Sequence, residues 1–226
     1  MARVVILRHS RGTPPGRVQS WAEEQGHIVR VYDLDLGSPL PRLSEFDALI
    51  SLGGPMNCDD EIRWPWLRDE KQLLAEAIQA DRVVLGLCLG AQLIARSQGA
   101  KVRVHSHWEN GWQKVSVRDE YLGDQELFVF QWHRDTFDLP PQARRIATNS
   151  ITENQAFRMS DRVVGTQFHP ETEASWVEAL MLDPDQPPEG PFVQRSPQLR
   201  EGLKYLPAQQ AWLDRLLHQM FKSAGL

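Results

Sequence analysis

Apolar positions in the first half of the chain fall into short, nearly continuous runs. Val4–Leu7 reads as a buried strand, Ile28–Tyr32 as a second, Asp47–Leu52 as a third and Arg82–Leu87 as a fourth. Between them the period changes. A short helical stretch follows Pro14, Pro15 and Gly16, carries Val18, Trp21 and Ala22 on one face, and stops at Gly26. Over Trp66–Ala80, Leu67, Leu74 and Ile78 share one side and Trp66, Leu73 and Ala77 lie beside them, as a helix requires. Gly90–Arg96 also reads as helix. Continuous apolar strands alternating with helices predict an α/β fold: an open, mainly parallel sheet with helices on both faces.

The second half is richer in strands, at Val102–Val104, Trp112–Val117, Leu127–Phe130, Arg144–Thr148, Gln155–Met159 and Val163–Gln167. Their alternation predicts antiparallel strands added to the parallel core. Prolines 184, 187, 188, 191 and 197 then mark an extended connector. Ala208–Lys222 returns to helical spacing with Trp212, Leu213, Leu216, Leu217 and Met220. The expected organisation is one domain over 1–182, with a connector and terminal helix over 183–226 packed back on it.

Composition narrows the function classes. The 226 residues are 41% hydrophobic and 24% charged, which fits a folded globular protein. A net charge of −5 gives no electrostatic footprint for nucleic acid. No apolar run approaches the roughly 18 residues of a membrane helix. Met1-Ala2-Arg3 and the four apolar residues after it are too brief for a secretory signal. Two cysteines make no disulfide framework, so a reducing cytoplasm is the expected compartment.

The densest chemical signal is Gly86-Leu87-Cys88-Leu89-Gly90-Ala91-Gln92, between a strand and a helix. Glycines two positions either side of a nucleophile allow a sharp strand-to-helix elbow, where a side chain would clash. Such a turn raises the Cys88 sulfur at the carboxyl edge of the sheet, where open α/β folds bind ligands. It also places the sulfur at a helix N-terminus, whose partial positive charge favours thiolate.

A nucleophilic thiol needs a base and the base an orienter. His169 lies just past the strand Val163–Gln167, and Glu171 is two residues on, across Pro170. In an extended turn such a pair can point to one side, carboxylate against imidazole. An acyl-transfer intermediate further needs two oxyanion donors. Leu89 N–H, directly after the nucleophile, is one candidate. Gly54, in Gly53-Gly54-Pro55-Met56-Asn57 at the end of the third strand, is the other.

Four segments in this order, Gly53-Gly54-Pro55-Met56-Asn57, the cysteine elbow, Gln131-Trp132-His133-Arg134-Asp135 and His169-Pro170-Glu171, resemble the class I (triad) glutamine amidotransferases. The resemblance covers about residues 3–182 and is nearest to stand-alone members similar to the glutaminase part of GMP synthase. It implies a flavodoxin-like glutaminase fold. It also implies a Cys88 that attacks the glutamine amide carbon, a His169 oriented by Glu171, and an oxyanion hole from Gly54 and Leu89. Gln92, His133 and Asp135 are implied as binders of the glutamine amino-acid end. Trp132 and Arg134 stand where the family's Ser-His-Gly-Asp segment has serine and glycine.

Other candidates point elsewhere. His105 and His107 with Glu109 form no full metal set and read as a solvated strand end. Cys58 sits among Asp59, Asp60 and Glu61, which disfavour its thiolate; these acids could bind a cation, and an N-cap cluster for the next helix explains them as well. No phosphate loop is present, so an ATP-dependent synthetase step is not encoded. The expected function is release of ammonia and glutamate from glutamine through a Cys88 thioester, needing no metal or organic cofactor. An ammonia-accepting synthetase subunit is the implied partner. A γ-glutamyl peptide hydrolase using the same triad is the alternative. A non-catalytic interaction protein that keeps the fold is the reading from another class.

Overall fold

The computed structural model describes residues 1–226. Nine strands form one sheet in the order β2-β1-β3-β4-β9-β8-β7-β5-β6. Strands β1 (Arg3–Arg8), β2 (Ile28–Asp33), β3 (Ala48–Ser51), β4 (Val83–Leu87) and β9 (Val163–Thr166) pair in parallel, with Ile6 opposite Ile50 and Leu85 opposite Val164. Strands β5 (Val102–Val117), β6 (Gln125–Phe137), β7 (Arg144–Thr148) and β8 (Ala156–Ser160) extend it antiparallel from β9.

The apolar runs are continuous because both sheet faces are covered. Val4, Ile6, Ile50 and Leu85 point to one face, and Val5, Leu7, Leu49 and Val84 to the other, as the two-residue period of a strand demands. On the first face lie α1 (Gly16–Glu24), through Val18 and Trp21, and the terminal helix. On the second lie α2 (Trp66–Gln79) and α3 (Leu89–Ser97). Short helices α4 (Ala174–Met181) and α5 (Ser196–Glu201) precede α6 (Leu206–Ser223). Trp212, Leu213, Leu216, Leu217 and Met220 of α6 are 0% exposed in the same cluster as β1.

Several details differ from the sequence pattern. Val102–Val104 and Trp112–Val117 belong to one 16-residue strand, interrupted by a register shift between Val104 and Glu109. Strand β6 runs on past Phe130 to Phe137, so Gln131–Asp135 is strand. Part of the proline-rich connector is ordered: Val193 bridges Asn110, and Pro197 sits in the first turn of α5. The acids before α2 are not its cap. Pro65 precedes that helix, while Asp59 pairs with Arg96 and Lys71, and Glu61 with Arg68 and Lys71. No helix is long and apolar enough to cross a membrane.

Candidate active site

Four loops leave the carboxyl ends of the adjacent parallel strands β1, β3, β4 and β9 and meet at one edge. Such an edge is where open α/β sheets place ligands. There they line a cavity of about 660 Å³ that contains Cys88, Gly54, Gln92, His133, Asp135 and His169.

Cys88 sits between β4 and α3 with φ 52 and ψ −105, a strained conformation for a residue with a side chain. Its N–H donates to Thr166 O at 2.7 Å, tying the elbow to β9. The flanking glycines are needed for closeness. A Cβ on Gly90 would lie 2.0 Å from Ser51 O, and one on Gly86 2.6 Å from Ala91 N. The elbow therefore packs backbone against backbone, which fixes the sulfur and the first turn of α3. Leu89 begins that turn, where a helix leaves its N–H without an intrahelical partner.

His169 and Glu171 follow β9. His169 Nδ1 lies 2.8 Å from Glu171 Oε1, and both side chains are buried. Burial alone would lower the His169 pKa. The charge of Glu171, and then that of Cys88, reverse this and push it up to about 10. The ring therefore favours its cationic form. The other Glu171 oxygen, Oε2, is buried with no partner, so that carboxylate's one directed contact is His169. Gly53 lies close to both His169 and Cys88: a Cβ there would stand 2.6 Å from His169 Cε1 and 3.5 Å from Cys88 Cβ.

The turn that carries His169 is held from several sides. His169 N–H donates to Phe130 O at 2.9 Å, and Thr172 Oγ1 donates to His169 O at 2.7 Å. Gly16, at φ +51, lets α1 start directly against Glu171 O, to which Arg17 N–H donates at 2.9 Å. Trp176 of α4 stands edge-on to the His169 ring at 5.0 Å. From α6, Gln209 donates to Pro170 O at 3.4 Å and Gln210 to Thr172 O at 2.9 Å. Gly16 and these glutamines carry no sequence signal for the site, because their partners lie far along the chain.

The remaining candidates occupy one wall. Gln92 of α3 donates to Asp135 O at 3.4 Å and to Gln167 Oε1 at 3.3 Å, beside Cys88. Gln167 itself points Nε2 at Cys88 Sγ, 3.6 Å away. The Asp135 carboxylate accepts from Asn57 Nδ2 at 2.7 Å, joining the β6 segment to the loop after β3. His133 turns one nitrogen to Asp135 O at 3.1 Å and brings the other within 3.3 Å of buried Glu109 Oε2. Burial would raise the Glu109 pKa, but His133, Thr152 and Asn149 hold it low. Trp132 and Arg134 also line the cavity.

Two other groups lie apart from this chemistry. Cys58 is wholly buried, and its pKa is pushed up to about 12, first by burial and then by Asp59. The acids expected to act on it are therefore the smaller cause. His105 and His107 neighbour one another on β5, outside the cavity.

Comparison with known proteins places this geometry in a family. The family model for glutamine amidotransferase class-I matches residues 22–183. The glutamine amidotransferase-like protein YfeJ of Salmonella typhimurium is 30% identical over 190 residues, 79% of this chain and 80% of the relative. A glutamine-hydrolysing GMP synthase subunit of Saccharolobus solfataricus is 32% identical over 139 residues, 59% of this chain and 71% of that protein. The crystal structure of a glutamine amidotransferase from Methylobacillus flagellatus superposes with a TM-score of 0.91 at 28% identity, covering 97% of this chain and 94% of that one. One from Thermotoga maritima does so with a TM-score of 0.82 at 30% identity, covering 96% and 97%. With a matched segment that runs from α1 past His169 and Glu171, and relatives aligned over most of both chains, this chain belongs to the class I glutamine amidotransferase family.

Proposed function

We propose that the protein hydrolyses the side-chain amide of glutamine through a thioester on Cys88. The observation that carries this reading is the convergence of a strained, cavity-facing Cys88 with a buried His169 held by Glu171 at 2.8 Å. Cys88 Sγ attacks the amide carbon, and the oxygen takes up negative charge. Gly54 N–H and Leu89 N–H hold that oxyanion. The imidazolium of His169 gives its proton to the leaving nitrogen, and ammonia departs. Neutral His169 then takes a proton from water, which attacks the thioester and frees glutamate. Glu171 keeps the ring in place and offsets its charge. Gln92, His133 and Asp135 are proposed to hold the α-amino and carboxylate groups, with the Asp135 carboxylate suited to an ammonium.

The thioester route uses protein groups alone. A thiolate nucleophile calls for a reducing compartment, and the cytoplasm is the proposed one. The likeness to a GMP synthase subunit supports a synthetase partner that takes up the ammonia. Residues 1–182 are proposed as the catalytic domain and 183–226 as part of the same folding unit, on the strength of the shared cluster around α6.

A second reading, hydrolysis of γ-glutamyl peptides, is favoured by the cavity itself. At about 660 Å³ it reaches beyond Cys88 to Trp108, Trp132, Leu180 and Asp183. That size falls in the range that accommodates ligands larger than an amino acid. The two share a glutamyl half and differ in leaving group.

The test incubates the protein with glutamine and with a panel of γ-glutamyl amides and peptides, measuring glutamate. Turnover of glutamine, abolished in Cys88→Ala and cut by about 10²–10⁴ in His169→Ala, is the expected result. Glu171→Gln should lose less than His169→Ala, since base and nucleophile both remain. Peptide turnover without glutamine turnover puts the second reading first. Absence of both, with no labelling of Cys88 by a glutamine-like electrophile, overturns the hydrolase reading.

A further inference from the structure

Beneath the loop that follows β3 lies a charged pair that the reaction above does not use. His9, just past β1, and Glu70, on α2, are both 0% exposed. His9 Nε2 lies 2.9 Å from Glu70 Oε2 and 3.1 Å from Oε1, and His9 Nδ1 lies 3.1 Å from Gly53 O. Ser51 Oγ donates to Glu70 Oε1 at 2.7 Å, and Trp66 stacks on the His9 ring at 5.4 Å and 4°. With Glu70 ionised, both partners only accept hydrogen bonds, so both ring nitrogens donate and the ring is an imidazolium. None of these side chains lines the cavity.

We infer that His9 is a positioning residue for the oxyanion hole: by gripping the Gly53 carbonyl it sets the direction of the Gly54 N–H, and Glu70 holds its ring for that purpose. The meaning of that N–H rests on the amide-hydrolase reading above. Gly53 C=O and Gly54 N–H belong to one planar trans peptide and therefore point in opposite directions. A hand on the carbonyl therefore also fixes where the N–H points, and Gly54 itself lines the cavity.

The hold is needed because of the residues involved. A peptide between two glycines has no Cβ on either side to resist rotation, so it turns over more easily than any other. Yet glycine is required at both positions. A Cβ on Gly53 would strike His169, and one on Gly54 would lie 2.8 Å from His9 Cβ. The site thus gains close approach and loses rigidity at a peptide whose direction matters. His9 supplies the missing restraint. Burying an ion pair is a poor way to add stability, because well-packed apolar side chains serve as well or better. What an imidazolium adds over leucine is a directed bond. Glu70 pairs that charge, and Ser51 Oγ donates to Glu70.

The closing experiment uses the double variant His9→Leu/Glu70→Gln, which leaves no unpaired buried charge and keeps an acceptor for Ser51. The single variant His9→Asn accompanies it and can still donate to Gly53 O. On whichever γ-glutamyl substrate the wild type turns over, the double variant should lose about 10–10²-fold in kcat, with KM within about threefold. Removing one oxyanion donor outright costs about 10²–10³-fold, and misaiming one should cost somewhat less. His9→Asn should recover part of the loss. Alkylation of Cys88 by iodoacetamide should keep its wild-type rate, because displacement at a methylene builds no oxyanion. A crystal structure of the double variant should show the Gly53–Gly54 peptide rotated. Wild-type kcat in the double variant, equal loss of alkylation, or an unmoved peptide would each overturn the inference. A wild type that turns over no γ-glutamyl compound counts against the hydrolase reading instead, and the peptide's orientation then decides the role of His9 by itself.

Discussion

The two cysteines of this chain are both buried and free, yet they stand in opposite surroundings. Cys58 meets an apolar wall and Asp59, which together push its pKa up to about 12, whereas Cys88 faces the cavity beside a cationic His169. Only thiolate reacts with alkylating agents. At neutral pH iodoacetamide should therefore modify Cys88 well before Cys58 in the native protein, and peptide mass mapping reads the order. Preferential modification of Cys58 would remove Cys88 from the nucleophile's place. This contrast is legible in the sequence, since the glycines around Cys88 and the acids around Cys58 are local. The His169–Glu171 contact is legible for the same reason, spanning two residues. The His9–Glu70 pair is not: its members stand 61 residues apart, and neither carries a local pattern that names the other.

Among the elements, the parallel strands are the most legible, because burial on both faces leaves an unbroken apolar run. The β5–β6 hairpin reads in sequence as shorter pieces. His105, Ser106, His107, Glu109 and Asn110 break its apolar pattern where the register shifts. Helix α4 leaves little trace because eight residues give barely two turns of period, and α5 because its proline resembles a connector rather than a helix start. The elbow between β4 and α3 makes the sharpest demand on sequence. Gly90→Ala would drive a methyl group to 2.0 Å from Ser51 O, a backbone atom with no room to yield. It should lower stability by about 1–3 kcal/mol or more and shift the start of α3, reducing turnover with it. Gly12→Ala, whose added carbon meets nothing nearer than Ser10 Oγ at 3.5 Å, is the matched control and should unfold like the wild type. Equal thermal midpoints for Gly90→Ala and Gly12→Ala would contradict this packing.

At the scale of the whole molecule, the buried His9 ties stability to pH. Burial by itself would lower its pKa from the ordinary 6.5, but the Glu70 charge and hydrogen bonds raise it. The folded protein then binds a proton at His9 that the unfolded chain releases above about 6.5. Stability from this source is complete below 6.5 and falls as pH rises through the raised value. Urea unfolding of the wild type and of His9→Leu/Glu70→Gln, followed from pH 6 upward, should show the wild type losing its relative standing as pH increases. A difference that stays constant with pH would mean that the ring is not charged in the folded state.

The clasp of α6 on the turn after β9 bears on how the protein comes to be active during its synthesis. Gln209 and Gln210 leave the ribosome long after Cys88, yet they fasten Pro170 and Thr172 on either side of Glu171. A growing chain can therefore complete the elbow and the parallel strands β1 to β4 before the contacts from α6 on the turn of His169 are made. The turn that carries His169 receives its last contacts only when α6 is made. Chains that stop short of α6, whether by early termination or by proteolysis, would keep the Phe130 and Arg17 contacts on that turn but lack the two from α6.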